Sequence, residues 1–413
     1  MGDWTKCTIE QVCNKIYSGG TPSTKHPEYW GGDINWLSSG ETSQRYICDT
    51  DRKITELGVK NSSTKRALAG TTVIASAGQG YTRGQASYLT IDTYLNQSLI
   101  ACEPNQEIVD PLFLYYNLDS RYDEFRLLTD GTSTRGGLSG WIVKRMEIYI
   151  PDIDEQRKIA SILSALDRKI MVNEEINKNL EEQIAALCDS WFDNGSRFGG
   201  TLPGNWALRK LSEIADFYSG YSYKGKDLQE SSVAMATIKN FDRTGGFKIE
   251  GYKEIMPSKG PKETQFAELF DVLVAHTDLT QNAEIIGNAE PILSLGGYDN
   301  VIYSMDLVKV TSKDPQVSNF LIAGLLKSEK FKNHCFGYMN GTTVLHLSKK
   351  ALPEYTLMLP NDMSELAQLN DILASYYMAI ANNIAQNESL KRLQDGLLPR
   401  LMSGELDLSE VAI

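Results

Sequence analysis

The sequence predicts an α+β fold with a pseudo-twofold internal repeat: two mixed α/β heads separated by a long antiparallel two-helix coiled coil. Three observations carry that reading. Residues 152–192 and 362–402 hold the same helical pattern at an offset of 210. Each stretch follows a mixed region of similar length. The only polar pair in each helical stripe falls at its midpoint.

In the first stretch, Ile159, Leu163, Leu166, Ile170, Asn173, Asn177, Leu180, Ile184, Leu187 and Trp191 alternate steps of four and three, which keeps one stripe facing a partner helix. The second gives Leu369, Leu373, Tyr376, Ile380, Asn383, Asn387, Leu390, Gln394, Leu397 and Leu401. Both open on a capping-box-like pair, Asp152 with Glu155 and Asp362 with Glu365, whose acids suit the positive end of a helix dipole. Packed antiparallel, the helices would bring Asn173, Asn177, Asn383 and Asn387 together as a buried register layer. Parallel packing would also match Asn to Asn. Direction is decided by the connection of roughly 170 residues, long enough for a whole domain to carry the chain back. The competing reading is a set of solvent-facing asparagines at a kink. A helix of about 40 residues runs about 60 Å, which suits a spacer better than a domain core.

The heads repeat as well. Trp4, Ile9, Val12 and Tyr17-Ser18-Gly19 are echoed by Trp206, Leu211, Ile214 and Tyr218-Ser219-Gly220. Val73-Ile74-Ala75 is echoed by Leu273-Val274-Ala275, and Ile148-Tyr149-Ile150-Pro151 by Leu357-Met358-Leu359-Pro360. Short strands between Gly, Ser, Thr and Asp clusters are predicted in each head, with a short helix near Pro111 to Leu128 and near Val317 to Asn333. The domain boundaries expected are 1–151 and 195–360 for the heads, and 152–194 and 361–413 for the helices and tail. The polar loops are Ser38 to Arg45, Gly78 to Gln85 and Gly131 to Gly140 in the first head, and Thr237 to Gly246, His276 to Gly287 and Gly337 to Ser348 in the second. Arg, Asn and Gln on a rigid scaffold suit base-edge reading; the competing reading of any such loop is a solvated turn.

A net charge of -12 argues against a nucleic-acid partner only until it is divided along the chain. The helices and tail carry -9 of it, so the heads are nearly neutral and each can hold a local basic face. No apolar run approaches 18 residues and no basic-then-apolar start is present, so a cytoplasmic chain is expected. Six cysteines without a CxxC pair and four scattered histidines make no metal-ligand spacing.

Motifs for chemistry are decoys. Pro151-Asp152 with Asp167-Arg168-Lys169 imitates a nuclease carboxylate set, but all of it lies along one helix rather than on paired strands. Gly78-Gln79-Gly80 with Gly84 misses the dinucleotide spacing, and Asp110-Pro111-Leu112-Phe113 lacks the second proline of an amino-methyltransferase loop. No Walker lysine motif, HExxH or GxSxG occurs, so a non-catalytic chain is expected.

The residues resemble one known family, the DNA-specificity subunits of type I restriction-modification systems. The likeness lies in Gly19-Gly20-Thr21-Pro22-Ser23, Tyr29-Trp30-Gly31-Gly32-Asp33-Ile34 with Trp36, Asn96-Gln97, and Pro151 leading to Glu155-Gln156-Arg157-Lys158-Ile159. It returns in the closing Gly396-Leu397-Leu398-Pro399-Arg400-Leu401-Met402-Ser403-Gly404-Glu405-Leu406. The second head departs from it, with Gly220-Tyr221-Ser222 in place of the Gly-Thr-Pro phrase. The resemblance implies two target-recognition domains, each reading half of a bipartite sequence in double-stranded DNA, with the helices setting the spacing. It also implies no catalytic residue and no cofactor here. S-adenosylmethionine, ATP and Mg would belong to partners: two modification subunits and the restriction motor-nuclease subunits. Candidate DNA contacts are Arg45, Arg83 and Arg135 in the first head and Lys239, Arg243 and Lys349 in the second. Arg157, Lys158, Arg168 and Lys169 are the candidate partner-binding face. The rival reading is a coiled-coil adaptor with two protein-binding heads.

Overall fold

A computed structural model of the chain describes residues 4–78, 80–130, 137–243, 245–280, 282–406 and 408. It divides into two compact units, one of Met1–Lys169 with Ser389–Ile413 and one of Ile170–Glu388.

In the first unit, Thr5–Thr8 pairs antiparallel with Glu147–Ile150, so the strands entering and leaving the head are neighbours. A five-stranded sheet follows in the order Cys13–Ser18, Leu99–Pro104, Thr72–Ala75, Ala86–Leu89, Tyr46–Ile47. A second sheet runs Arg52–Ile54, Trp30–Leu37, Thr93–Leu95, Lys65–Ala67, its central pair parallel and its outer pairs antiparallel. The core beneath them is apolar and closed, with Ile9, Ile74, Phe113, Tyr115, Phe125 and Leu163 among its buried members.

The second unit repeats this plan. Trp206–Lys210 pairs with Thr356–Pro360, and a sheet runs Ala215–Ser219, Leu307–Ser312, Val272–Ala275, Ala289–Pro291. Another runs Lys253–Glu254, Val233–Ala236, Asn300–Tyr303, Phe266–Ala267, again with a parallel central pair. Strand order and sense match the first unit except for its fifth strand, Tyr46–Ile47, so the duplication extends to topology. A sheet of Thr277–Asp278, Leu345–Leu347 and Met339–Asn340 is added here. The helical segment of each head divides in two, Pro111–Asp119 with Tyr122–Asp130 and Asn319–Leu326 with Glu329–Phe336. In the second unit, the Ser328 hydroxyl accepts the Phe331 amide and starts a new helix there.

The repeated Tyr-Ser-Gly phrase has a steric cause. A Cβ on Gly19 would lie 1.9 Å from the Leu95 carbonyl oxygen, and one on Gly220 2.1 Å from that of Ser304. Only glycine allows the strands to approach so closely.

The long helices span Ile153–Cys188 and Ala367–Met402, 36 residues each. Asp152 caps the first by accepting the amides of Asp154 and Glu155 at 3.0 and 2.9 Å. Asp362 accepts the Ser364 amide, and a 3-10 turn, Met363–Leu366, precedes the second helix. Glu365 accepts from Asn205 Nδ2 at 2.7 Å rather than serving the cap. Within the second unit Asn173 Nδ2 donates to Asn387 Oδ1 at 2.7 Å, and Asn383 Nδ2 donates to Asn177 Oδ1 at 2.8 Å. Residue numbers rise on one helix as they fall on the other, so the pairing is antiparallel. In the first unit Gln394 meets Asp167, and Lys158 Nζ donates to the Leu408 carbonyl, in the same sense. Among the described residues no helix is long and apolar enough to cross a membrane.

Two glycines give opposite expectations by thermal unfolding. Gly220→Ala forces a backbone clash and should cost about 2 kcal/mol or more. Gly396, in the second long helix with nothing within 4 Å of its would-be Cβ, should gain about 0.5–1 kcal/mol as alanine.

Candidate nucleic-acid interface

Within each unit described polar loops meet, and buried polar side chains hold them in shape; of the loop from Gly131 to Gly140, residues 131–136 lie outside the described residues. In the first, the Glu41 carboxylate accepts the Ser38 and Asp51 amides, both at 2.9 Å, and Ser87 Oγ donates to the Gln44 carbonyl at 2.6 Å. The loop from Gly78 to Gln85 is entered beside Ser76, whose carbonyl accepts the Leu138 amide at 2.9 Å. In the second, Asn240 accepts the Thr237 amide and donates to the Lys248 carbonyl. Asp278 accepts the Thr280 and Ile285 amides at 2.7 and 2.8 Å; burial raises its pKa, but these bonds outweigh burial and hold the carboxyl below its ordinary range. Arg243 pairs with Glu284 at 3.3 Å, and Thr277–Asp278 pairs with Leu345 and His346. Three loops of the second head are thereby joined.

The candidate cations fall into different settings. Lys239, Arg243 and Lys349 are exposed around the joined loops. Arg83 lies half-buried in its loop, and Arg135 lies outside the described residues. Arg45, another candidate DNA contact, is half-buried and reaches toward buried acids. Its guanidinium donates to Tyr115 Oη at 3.1 Å, Gln394 Oε1 at 2.6 Å and Asp119 Oδ2 at 2.5 Å, and stands 3.2 Å from Asp167 Oδ1. These partners engage most of its five N–H donors, while the side chain stays 37% exposed.

Asp167 is the centre that sequence reasoning missed. It is buried on the first long helix, where it accepts from Tyr116 Oη at 2.6 Å, Tyr46 Oη at 2.9 Å and Gln394 Nε2 at 2.8 Å. Burial pushes the Tyr46 and Tyr116 hydroxyls up, and the adjacent Asp167 pushes them further, so both remain donors. The available signal was an acid one residue from Leu166 and three from Ile170. The second unit has its own buried pair, Lys327 with Glu290 at 2.8 Å. Burial would lower the Lys327 pKa, but Glu290, Tyr377 and Glu181 together outweigh it and hold the ammonium charged.

Of the partner-face candidates, Arg157 pairs with Asp154 at 3.4 Å, Lys158 reaches the Leu408 carbonyl, and Arg168 and Lys169 are exposed. Among the described residues no cluster of three or more His, Cys, Asp or Glu is arranged to hold a metal.

Residues 1–182 match the family model described as type I restriction modification DNA specificity domain. The type I restriction enzyme MjaIX specificity subunit of Methanocaldococcus jannaschii is 25% identical over 427 aligned positions, covering 99% of this chain and 95% of that one. The EcoR124I/EcoR124II specificity subunit of Escherichia coli is 30% identical over 158 residues, 37% of this chain and 38% of that one. The crystal structure of a type I restriction-modification S subunit from M. genitalium shares the fold, with a TM-score of 0.59 at 17% identity over 97% of this chain and 96% of that one.

Arg45→Met leaves Asp119 and Asp167 without their cation and should destabilise the first unit by roughly 2–4 kcal/mol in denaturant unfolding. An unchanged midpoint would mean that these ion pairs add nothing to stability. His276 gives a pH expectation. Burial, with His346 and Lys349 nearby, lowers it from 6.5 to about 4, so the folded state keeps it neutral where the unfolded chain is protonated. Stability should hold above pH 6.5 and fall between 6.5 and about 4, and His276→Asn should flatten that slope in thermal unfolding.

Proposed function

We propose that this chain, a member of the family of type I restriction-modification DNA-specificity subunits, is the sequence-reading component of such a complex and does no chemistry itself. One observation supports the finer reading above all: the same loop-bearing scaffold occurs twice, with the same strand order but different side chains on the loops. Two readers with different side chains suit a bipartite target whose halves differ in sequence, as protein symmetry mirrors half-site arrangement elsewhere.

In this reading Arg83 serves the first half-site, and Lys239, Arg243 and Lys349 the second. Lysines would contact phosphates and arginines would suit guanine edges. Arg157, Lys158, Arg168 and Lys169 would serve two modification subunits, which use S-adenosylmethionine to methylate an adenine in each half. Motor-nuclease subunits with ATP and Mg would complete restriction. The helical pair would set the number of unread bases between halves.

The test is methylation mapping in a host that expresses the chain with its modification partner. A two-part motif is expected, and inserting four residues after both 175 and 385, about 6 Å of helix, should lengthen its gap. A continuous motif, or an unchanged gap, would overturn the split-target reading. Duplex binding that weakens steeply with salt separates this role from that of a protein adaptor.

A further inference from the structure

One loop recurs in both heads with the same closure. In the first, the Ala75 amide donates to the Gln85 carbonyl and the Gly84 amide to the Ala75 carbonyl, both at 2.9 Å. In the second, Ala275 donates to Asn288 and Gly287 to Ala275, again at 2.9 Å. Gly84 and Gly287 both take positive φ, 91° and 75°. A Cβ on either would press on the helix behind, at 3.2 Å from Phe125 and 3.0 Å from Cys335. That helix braces the loop in each case. Arg126 Nη1 donates to the Gly80 carbonyl at 2.5 Å and Tyr122 Oη to the Tyr81 carbonyl at 2.9 Å. Lys332 Nζ donates to the Glu284 carbonyl at 2.5 Å and to Asn288 Oδ1.

Each braced loop carries a large apolar side chain into solvent. Tyr81 is 83% exposed and Leu279 65%. A scattered exposed apolar residue is ordinary. The same exposure on the same loop of two duplicated heads, each loop fixed by a cation from the helix behind, is a repeated arrangement. In each loop these bonds fix the backbone while the apolar side chain stands in solvent, so its area is open to a partner.

We propose that Tyr81 and Leu279 are the apolar tips with which the two heads enter a groove of duplex DNA, each pressing on base pairs of its own half-site. This rests on the DNA-recognition reading above and gives it a non-ionic component. Arg126 beneath the first loop, and the exposed Lys239 and Lys349 around the second, bring positive charge to the same place, which favours a polyanion over an apolar protein partner. Apolar side chains in a groove contact thymine methyls or wedge at flexible steps, and a phenol and an isobutyl group would fit different steps.

The experiment uses the full chain with its modification subunits and a duplex oligonucleotide carrying the motif found by methylation mapping. Tyr81→Ala and Leu279→Ala should each weaken binding by about ten- to a hundredfold, the amount expected from losing one buried side chain of this size. The slope of log affinity against log salt should stay unchanged, since no phosphate contact is removed. Each variant should relax methylation in one half-site, and the two should relax opposite halves. Tyr81→Phe should bind like the parent, and so should Leu208→Ala, an equally exposed leucine on the strand Trp206–Lys210. Binding by Tyr81→Ala and Leu279→Ala within twofold of the parent would overturn the proposal, as would a lowered salt slope or relaxation of both halves by one variant. A parent chain that shows no salt-sensitive duplex binding would fail at the recognition reading itself, a result distinct from a parent that binds and variants that match it.

Discussion

Polar atoms buried in the seam of the long helices must find partners there, because a donor or acceptor left unpaired away from water costs about 1–3 kcal/mol. In the second unit Asn173 answers Asn387 and Asn177 answers Asn383; in the first Asp167 answers Gln394. A seam of leucine and isoleucine alone would tolerate sliding by a turn with modest loss, since one apolar contact replaces another. Matched amides disfavour it, because a one-turn slide would keep at most one Asn–Asn pair and set the other two amides against different side chains. Register is therefore fixed by the few polar positions, while the apolar ones supply most of the association energy.

The same requirement reaches into each head, and the two units meet it with opposite signs. In the first, one cation, Arg45, lies among the carboxylates Asp119 and Asp167 and the hydroxyl of Tyr115. In the second, the ammonium of Lys327 sits just past the helix Asn319–Leu326, where the first unit has Asp119 ending the helix Pro111–Asp119. Its carboxylate comes from Glu290 on a strand. The position 210 residues beyond Asp167 is Tyr377, fully buried in the second unit's core. Backbone topology has been kept through the duplication while the buried charges differ as a complementary set. A single exchange would leave a buried charge unpaired, which is why such networks have to change together.

That coupling explains what could be read from the sequence. The long helices were legible because burial on one face imposes a period near 3.6, and the duplicated Tyr-Ser-Gly phrase because a close backbone approach accepts only glycine at Gly19 and Gly220. The antiparallel sense followed from the length of the connection. The ion pairs of Arg45 were hidden because an arginine in a polar loop has the same local sequence whether it faces water or a buried acid. Its partners Asp119, Asp167 and Gln394 lie 74 to 349 residues away, and no periodicity links them. The break in each head's helical segment was also hidden, since Ser328 is a helix cap only if the preceding helix stops there.

The loops carry the last step. Glu41, Asn240 and Asp278 look like solvated turn residues in the sequence, yet all are buried and aimed at backbone amides. Their work is to hold loop shape, so they are not available for contact. What each head can offer a partner is therefore set by the few side chains that point outward from a preformed frame. Because the frame's hydrogen bonds come from the inward set, an outward residue can be exchanged without disturbing the fold. Two copies of one scaffold can then acquire different preferences by changes at a handful of exposed loop positions, and the buried networks that hold each head on its helices need not change at all.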